Sequence, residues 1–453
     1  MQRSGQFDEE VIDHFAESSE GRWRHRLHLP HRDPERIGTW APMRVRNYKL
    51  FFSGQIVSVP GTWLQTIAQA WLVLQLTSSG SALGFTVALQ SLPVLLLGPW
   101  GGTVADRVDK RLALIGTQLA QGLLALVLGV LTATGVVELW MVWILALGLG
   151  LARSIDSPVR QSFISEMVDA PLLPRAIALN SVIVSAARAI GPASAGLIIA
   201  AFGVAPCFLI NAGSFIAVIG ALVAMRRSEL HPSEPAKRTP GMVREGFRYV
   251  SREPRLRAPL LMMVLVGTFA YEFQVTLPLL AHETFGSGAA GFGLLYAAMG
   301  VGAVTGGLTI AGRLPIGLRT QGIAAAAFGV LLAGVAISPT MLVAGLLLLF
   351  AGAASVTFTS TTNSSLQLRS LPSLRGRVMA LYLVAFMGST PIGGPIVGWI
   401  GEAFGPRWSI GIGAAACGVA ALMAARTLTR YAKGRSAATS ASLGAVASRS
   451  ETT

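Results

Sequence analysis

Residues 171–213 read PLLPRAIALNSVIVSAARAIGPASAGLIIAAFGVAPCFLINAG, and 202 positions later residues 373–415 read SLRGRVMALYLVAFMGSTPIGGPIVGWIGEAFGPRWSIGIGAA. At that fixed offset Leu172, Arg175, Ala178, Leu179, Val182, Ile190, Gly191, Gly196, Ala201, Phe202, Gly203 and Ile210 each meet their own residue type. The partners are Leu374, Arg377, Ala380, Leu381, Val384, Ile392, Gly393, Gly398, Ala403, Phe404, Gly405 and Ile412. The chain is a duplicated half, and its repeat runs in the same direction both times.

Around the repeat the chain is apolar. Of 453 residues, 52% are hydrophobic and 13% charged, too few charges to cover a water-facing surface. Apolar runs of about 20 residues, each long enough to span a bilayer, recur from near 50–74 to near 407–426. Twelve are expected, six per half, which fits the offset. The predicted fold is an all-α membrane protein of two six-helix bundles. Residues 1–46 form a cytoplasmic tail, 47–226 the first bundle, 227–257 a linker, 258–426 the second bundle and 427–453 a disordered tail. Parallel halves of this kind can rock about a shared central site.

The formal net charge is +14, but the basic residues report topology rather than nucleic acid. All Lys and Arg except Arg153, Arg188 and Arg407 fall in the termini, the linker and alternate turns, or at the helix ends beside them. By the positive-inside rule those segments, and both termini, are cytoplasmic. They also face the headgroups of anionic membrane lipids. In the linker, Met242, Val243, Phe247 and Val250 mark one face of a short amphipathic helix on that surface. His25, His28 and His31 repeat by threes but are interleaved with arginines, so a solvated tail is the plain reading and no metal or other cofactor is expected. Cys207 and Cys417 read as packing residues. The Gly286–Gly291 run follows a spanning helix rather than a strand, so it does not read as a dinucleotide site. No Walker loop, HExxH or GxSxG stretch is present, and an enzyme is not expected.

Polar side chains at membrane depth cost free energy and are functional candidates for that reason. In the first span Gln55, Ser58, Thr62, Gln65 and Gln69 fall at steps of three and four on one helix face, which must meet protein or water. Glu272 alone among the acids stands near the centre of a span, followed closely by Gln274. Desolvation favours its neutral form, so it is the candidate for proton coupling; the alternative is a permanently satisfied structural acid. Arg188 in the fifth span is a candidate for an anion or a carboxylate partner, or a packing cation. Arg153, Asp156 and Arg160 stack at the inner end of the fourth span and suit a charge cluster that closes one side.

The turn after the second span, Gly101-Gly102-Thr103-Val104-Ala105-Asp106-Arg107-Val108-Asp109-Lys110-Arg111, resembles the signature of the major facilitator superfamily. The stretches Gly61–Gln65, Ser157–Gln161, Arg244–Val250 and Leu374–Met379 are similar to its branch of enterobactin exporters and macrolide efflux proteins. Gly191, Pro192 and Gly196, with Gly393 and Gly398 in the repeat, resemble the Gly-Pro packing motif of its antiporters. The resemblance covers about residues 40–426. It implies a bacterial inner-membrane exporter of a drug, siderophore or secondary metabolite, exchanged for protons. It also implies a gate around Gly102, Asp106, Arg107 and Arg111, and a cavity lined by the first, fourth, seventh and tenth spans. Trp143, Tyr271, Gln274 and Thr357 then join the first-span stripe on the substrate path. The second half departs from the motif, with Gly312 in the place of Asp106. A monomer is expected. A nutrient importer on the same fold is the alternative, and a receptor without transport is a more distant one.

Overall fold

The computed structural model describes residues 38–105, 108–231, 242–311, 313–371 and 374–450. The His-containing tail, Asp106, Arg107 and Gly312 therefore lie outside the described residues. Gly102 falls in a helix end whose side-chain surroundings are likewise not described.

The first half holds α1 (Arg46–Thr77), α2 (Gly80–Ala105), α3 (Lys110–Ala133), α4 (Leu139–Met167), α5 (Leu173–Phe202) and α6 (Ala205–Val223). A short surface helix, α7 (Met242–Arg252), precedes the second half. That half holds α8 (Pro254–Ala270), α9 (Phe273–Leu279), α10 (Ala289–Gly306), α11 (Leu318–Ala336), α12 (Met341–Arg369), α13 (Arg375–Met387), α14 (Thr390–Phe404) and α15 (Pro406–Ser450). Eleven helical segments among the described residues are long and apolar enough to cross a membrane. The twelfth expected span, α1, is 32 residues long, ample in length, but its polar stripe lowers its hydropathy. Large apolar side chains such as Leu197, Phe202, Ile216, Val330 and Leu342 stand exposed on the helix surfaces, as they must where the solvent is lipid.

The repeat has a visible backbone cause. Gly203 ends α5 at φ 83° and Gly405 ends α14 at φ 98°, the left-handed region that only glycine enters freely. The Ala-Phe-Gly pattern shared by both halves is a helix stop.

Two expected spans are broken. Tyr271 and Glu272 leave the helix between α8 and α9, and Gly388 and Ser389 leave it between α13 and α14. The second break follows from Pro391, which has no N–H to donate to the carbonyl of Met387, the last residue of α13, and whose ring clashes with it. No proline explains the first. One other expectation fails. The chain stays helical to Ser450 where a disordered tail was expected, its Ala-rich composition favouring helix. On α7, Val250 is buried and Phe247 is exposed, as on an amphipathic helix with one apolar side chain turned to the protein and another to the membrane surface. Glu245 on α7 pairs with Arg377 of α13.

Contacts between the halves run through α2 with α14 and α5 with α10. Both are glycine seams. A Cβ on Gly84 would collide with the Gly394 carbonyl, and one on Gly398 with the Gly80 carbonyl. One on Gly196 would come within 2.8 Å of the Ala289 oxygen, and one on Gly300 within 2.6 Å of the Arg188 oxygen. Gly191 and Gly393 serve inside their own halves, against Trp63 and the Thr268 carbonyl. At the same end, Glu402 of α14 accepts hydrogen bonds from Ser79 Oγ (2.7 Å) and the Ser81 N–H (2.8 Å) at the start of α2. This latch lies at the end of the molecule away from the basic turns, and the seams run from that end towards mid-depth.

Gly84→Val is expected to hold the α2–α14 seam apart. Transport should fall by about tenfold or more and melting in detergent should drop, because a backbone carbonyl cannot yield as a side chain can. Gly116→Ala, where no neighbour lies within 4 Å, should leave both unchanged.

Candidate functional site

Between the halves lies a cavity of about 550 Å³, in the size range of small-molecule sites. Its two walls differ in chemistry. The first half contributes Gln55, Ser58, Thr62, Arg153, Asp156, Arg160 and Arg188, with further amides. The second contributes Tyr271, Phe273, Tyr296, Met299, Phe386 and Met387, with neutral polar groups and no charge.

The first-span stripe divides at Thr62. Gln55, Ser58 and Thr62 face the cavity. Gln65 and Gln69 do not line it, and both are buried. Gln65 Oε1 accepts from Asn211 Nδ2 of α6 at 2.5 Å. Beyond Thr62 the stripe runs into the closed end, where α9 packs on α1, so the same helix face meets protein instead of water. Trp143 is also off the path: its indole N–H donates to Thr86 Oγ1 (3.1 Å) and its ring meets Phe85 edge-on. Thr357 is buried with its hydroxyl on the Ala353 carbonyl, while its neighbours Ser355 and Thr359 reach the cavity. Tyr271 and Gln274 line it as expected, and the Tyr271 hydroxyl donates to the Ser355 carbonyl at 2.7 Å.

Arg153, Asp156 and Arg160 form a wall of the cavity rather than a closed gate. Asp156 is fully buried and accepts from Thr117 Oγ1 (2.9 Å), Gln118 Nε2 (2.7 Å) and the Arg160 guanidinium. Arg160 also donates to Gln55 Oε1 at 3.2 Å. Arg188 projects into the cavity beside Trp63, with its guanidinium carbon 5.9 Å from the ring centroid.

Glu272 stands one layer behind the wall. Its side chain is 3% exposed, and its Oε1 has no hydrogen-bond partner. The carboxylate lies against Gly393 and Gly394, in the first turns of α14, with the cavity-lining Thr390 hydroxyl as its polar neighbour. The break between α8 and α9 therefore brings an acid to the point where the second broken span restarts. The N-terminus of that helix favours negative charge.

Several cavity residues escape a reading of the sequence: Gln90, Gln118, Gln121, Asn180, Tyr296 and Thr390. Gln118 and Gln121, three apart in an otherwise apolar helix, carry the same signal as the first-span stripe. Tyr296 and Thr390 carry none.

At the basic end Arg111 closes the C-terminus of α6, donating to the carbonyls of Leu222 (2.6 Å) and Val223 (2.8 Å). Lys110 pairs with Glu166 at the end of α4, and Arg227 with Asp109. Partial burial works against the Asp109 carboxylate, but the Arg227 hydrogen bond, the Leu112 N–H and the Arg227 charge hold its pKa below the usual value. These contacts tie three helices of the first half to one another.

A two-bundle helical membrane protein with a mid-depth cavity between its halves belongs to the class of alternating-access transporters. Residues 37–447 match the family model described as transmembrane secretion effector, and the chain belongs to that family of the major facilitator superfamily. It is 27% identical over 258 residues to the staphyloferrin A transporter of Staphylococcus aureus, covering 56% of this chain and 64%, less than two thirds, of that relative. It is 25% identical over 391 residues to the enterobactin exporter EntS of Salmonella typhimurium, covering 85% of this chain and 93% of the exporter. Among solved structures, the inward-facing bacterial homologue of the lysosomal transporter Spinster shares the fold at a TM-score of 0.68 and 14% identity, with 86% of this chain and 98% of that one covered. The inward-facing bacterial homologue of the iron transporter ferroportin matches at 0.66 and 15%, with 84% and 98% covered. The family and these relatives are transporters rather than enzymes.

Asp156→Asn should destabilise the chain by on the order of 3 kcal/mol, because it leaves the Arg160 guanidinium without its counter-ion in a low-dielectric wall. Thermal unfolding in detergent measures this. The double variant with Arg160→Gln should recover part of the loss.

Proposed function

We propose that this chain exports a small amphipathic compound across a bacterial inner membrane in exchange for protons, by alternating access. A siderophore, a drug or another secondary metabolite fits, and the similarity to the staphyloferrin A transporter and the enterobactin exporter favours the first. The bundles at 47–226 and 258–426 are the two moving bodies, both termini are cytoplasmic, and the described state opens towards the cytoplasm. Glu272 carries the proton. The observation behind this is the buried carboxylate with an unpartnered oxygen, placed at two helix breaks and one layer from the cavity. Arg188 is the cation on the facing half whose charge the carboxylate feels as it ionises. A monomer suffices, since one chain supplies both walls. A nutrient importer on the same fold differs only in the direction of flux.

Glu272→Gln fixes the neutral form. Efflux driven by a pH gradient in oriented vesicles should be abolished while downhill exchange persists. If the variant still concentrates substrate in response to a pH gradient, another group carries the proton. Orientation is checked separately with Cys207 and Cys417 replaced: a cysteine at Ser287 should react with an impermeant thiol reagent from outside and one at Ser233 should not.

A further inference from the structure

The cavity contains a charge imbalance that the protein does not resolve. Of its three arginines, Arg160 is satisfied by Asp156 and Gln55. Among the described residues neither Arg153 nor Arg188 pairs with a carboxylate. Both line the cavity, and Arg153 is near enough to Arg160 for their charges to act on one another. Glu272 is not the missing counter-ion: it sits behind Thr390 on the other half, and its Oε1 is unbonded. Guanidiniums that line a cavity without a carboxylate partner keep their N–H groups available to a ligand, so Arg153 and Arg188 together present a site for anions. Trp63 lies against Arg188, an arrangement that steadies the guanidinium and leaves its N–H fork free for a carboxylate. Opposite, the wall of Phe273, Met299, Phe386 and Met387 offers apolar surface without charge.

We infer that the transported compound is an amphipathic anion with at least two acid groups, held by Arg153 and Arg188 of the first half while its apolar or aromatic body rests on the second half. This rests on the transport reading of the cavity. It adds the chemical class of the substrate and assigns anion binding and proton binding to opposite halves. Arg188 is also the residue whose carbonyl packs against Gly300 in the α5–α10 seam, so an anion bound there sits directly beside the contact that must open.

Isothermal titration of the full chain in nanodiscs tests the inference with naphthalene-2,6-dicarboxylate and its neutral dimethyl ester. The diacid should bind more tightly than the ester, and added salt should weaken it. Arg153→Gln and Arg188→Gln should each weaken the diacid by about tenfold or more, the size of a lost charge-assisted hydrogen bond, and leave the ester unchanged. Arg188→Lys should recover part of the loss, which excludes misfolding as its cause. Absence of diacid binding, equal affinity for the ester, or full affinity in both Gln variants would overturn the inference. Binding is read without flux, so a chain that binds the diacid but shows no proton-driven efflux would refute the exporter and keep the anion site.

Discussion

Close approach of backbone to backbone across the two halves is the constraint from which the rest follows. In lipid there is no hydrophobic drive to press helix on helix, and small residues supply the association by allowing dispersion contacts at short range. Gly80 and Gly84 against Gly394 and Gly398, and Gly196 and Gly300 against α10 and α5, do this from one end as far as the cavity. With the halves pinned there, the helices diverge towards the basic turns, and a cavity forms where their polar faces would otherwise meet. The Glu402 carboxylate on the first turn of α2 adds a polar bond to the same seam, at a helix end whose free N–H groups need an acceptor.

The duplicated sequence has not produced equivalent halves. Helices of the first half run unbroken through the membrane, with Pro60, Pro158 and Pro192 tolerated inside α1, α4 and α5. In the second half the spans that carry Glu272 and Pro391 each break near mid-depth. Unwound backbone at that depth is tolerable where it is buried in protein or lines a cavity, and both breaks meet that condition. The break also provides what a continuous helix cannot, a carboxylate turned towards the free N-terminus of a neighbouring helix.

The fold was legible because it depends on composition and period, which are one-dimensional. Repeat, span count and basic turns could all be read from the chain, and the polar stripe of α1 was read correctly in direction. Its extent was not, because whether Gln65 and Gln69 meet water depends on where the halves touch, and that is fixed by glycine seams whose two sides lie far apart in sequence. Trp143 and Thr357 failed for a related reason. Each position along a helix turns a side chain by about 100°, so Thr357, two positions from both Ser355 and Thr359, points away from the cavity that those two line. Asp156 was read as part of a gate, but its partners Thr117 and Gln118 come from a different helix, and no local pattern could announce them.

The distribution of charge follows from the same geometry. A cation that must meet a mobile anion has to face water, and Arg153 and Arg188 do so on the wall of unbroken helices, where a rigid backbone fixes their placement. A proton carrier has the opposite requirement, since it must be dry enough for its neutral form to be stable and yet adjoin a path to solvent. Glu272, 3% exposed behind Thr390, meets both conditions only because the helix breaks beside it. In the proposed mechanism the anion and proton sites lie on opposite halves, so rocking one half against the other changes the separation between bound anion and buried carboxylate, and with it their repulsion across a poorly screened cavity.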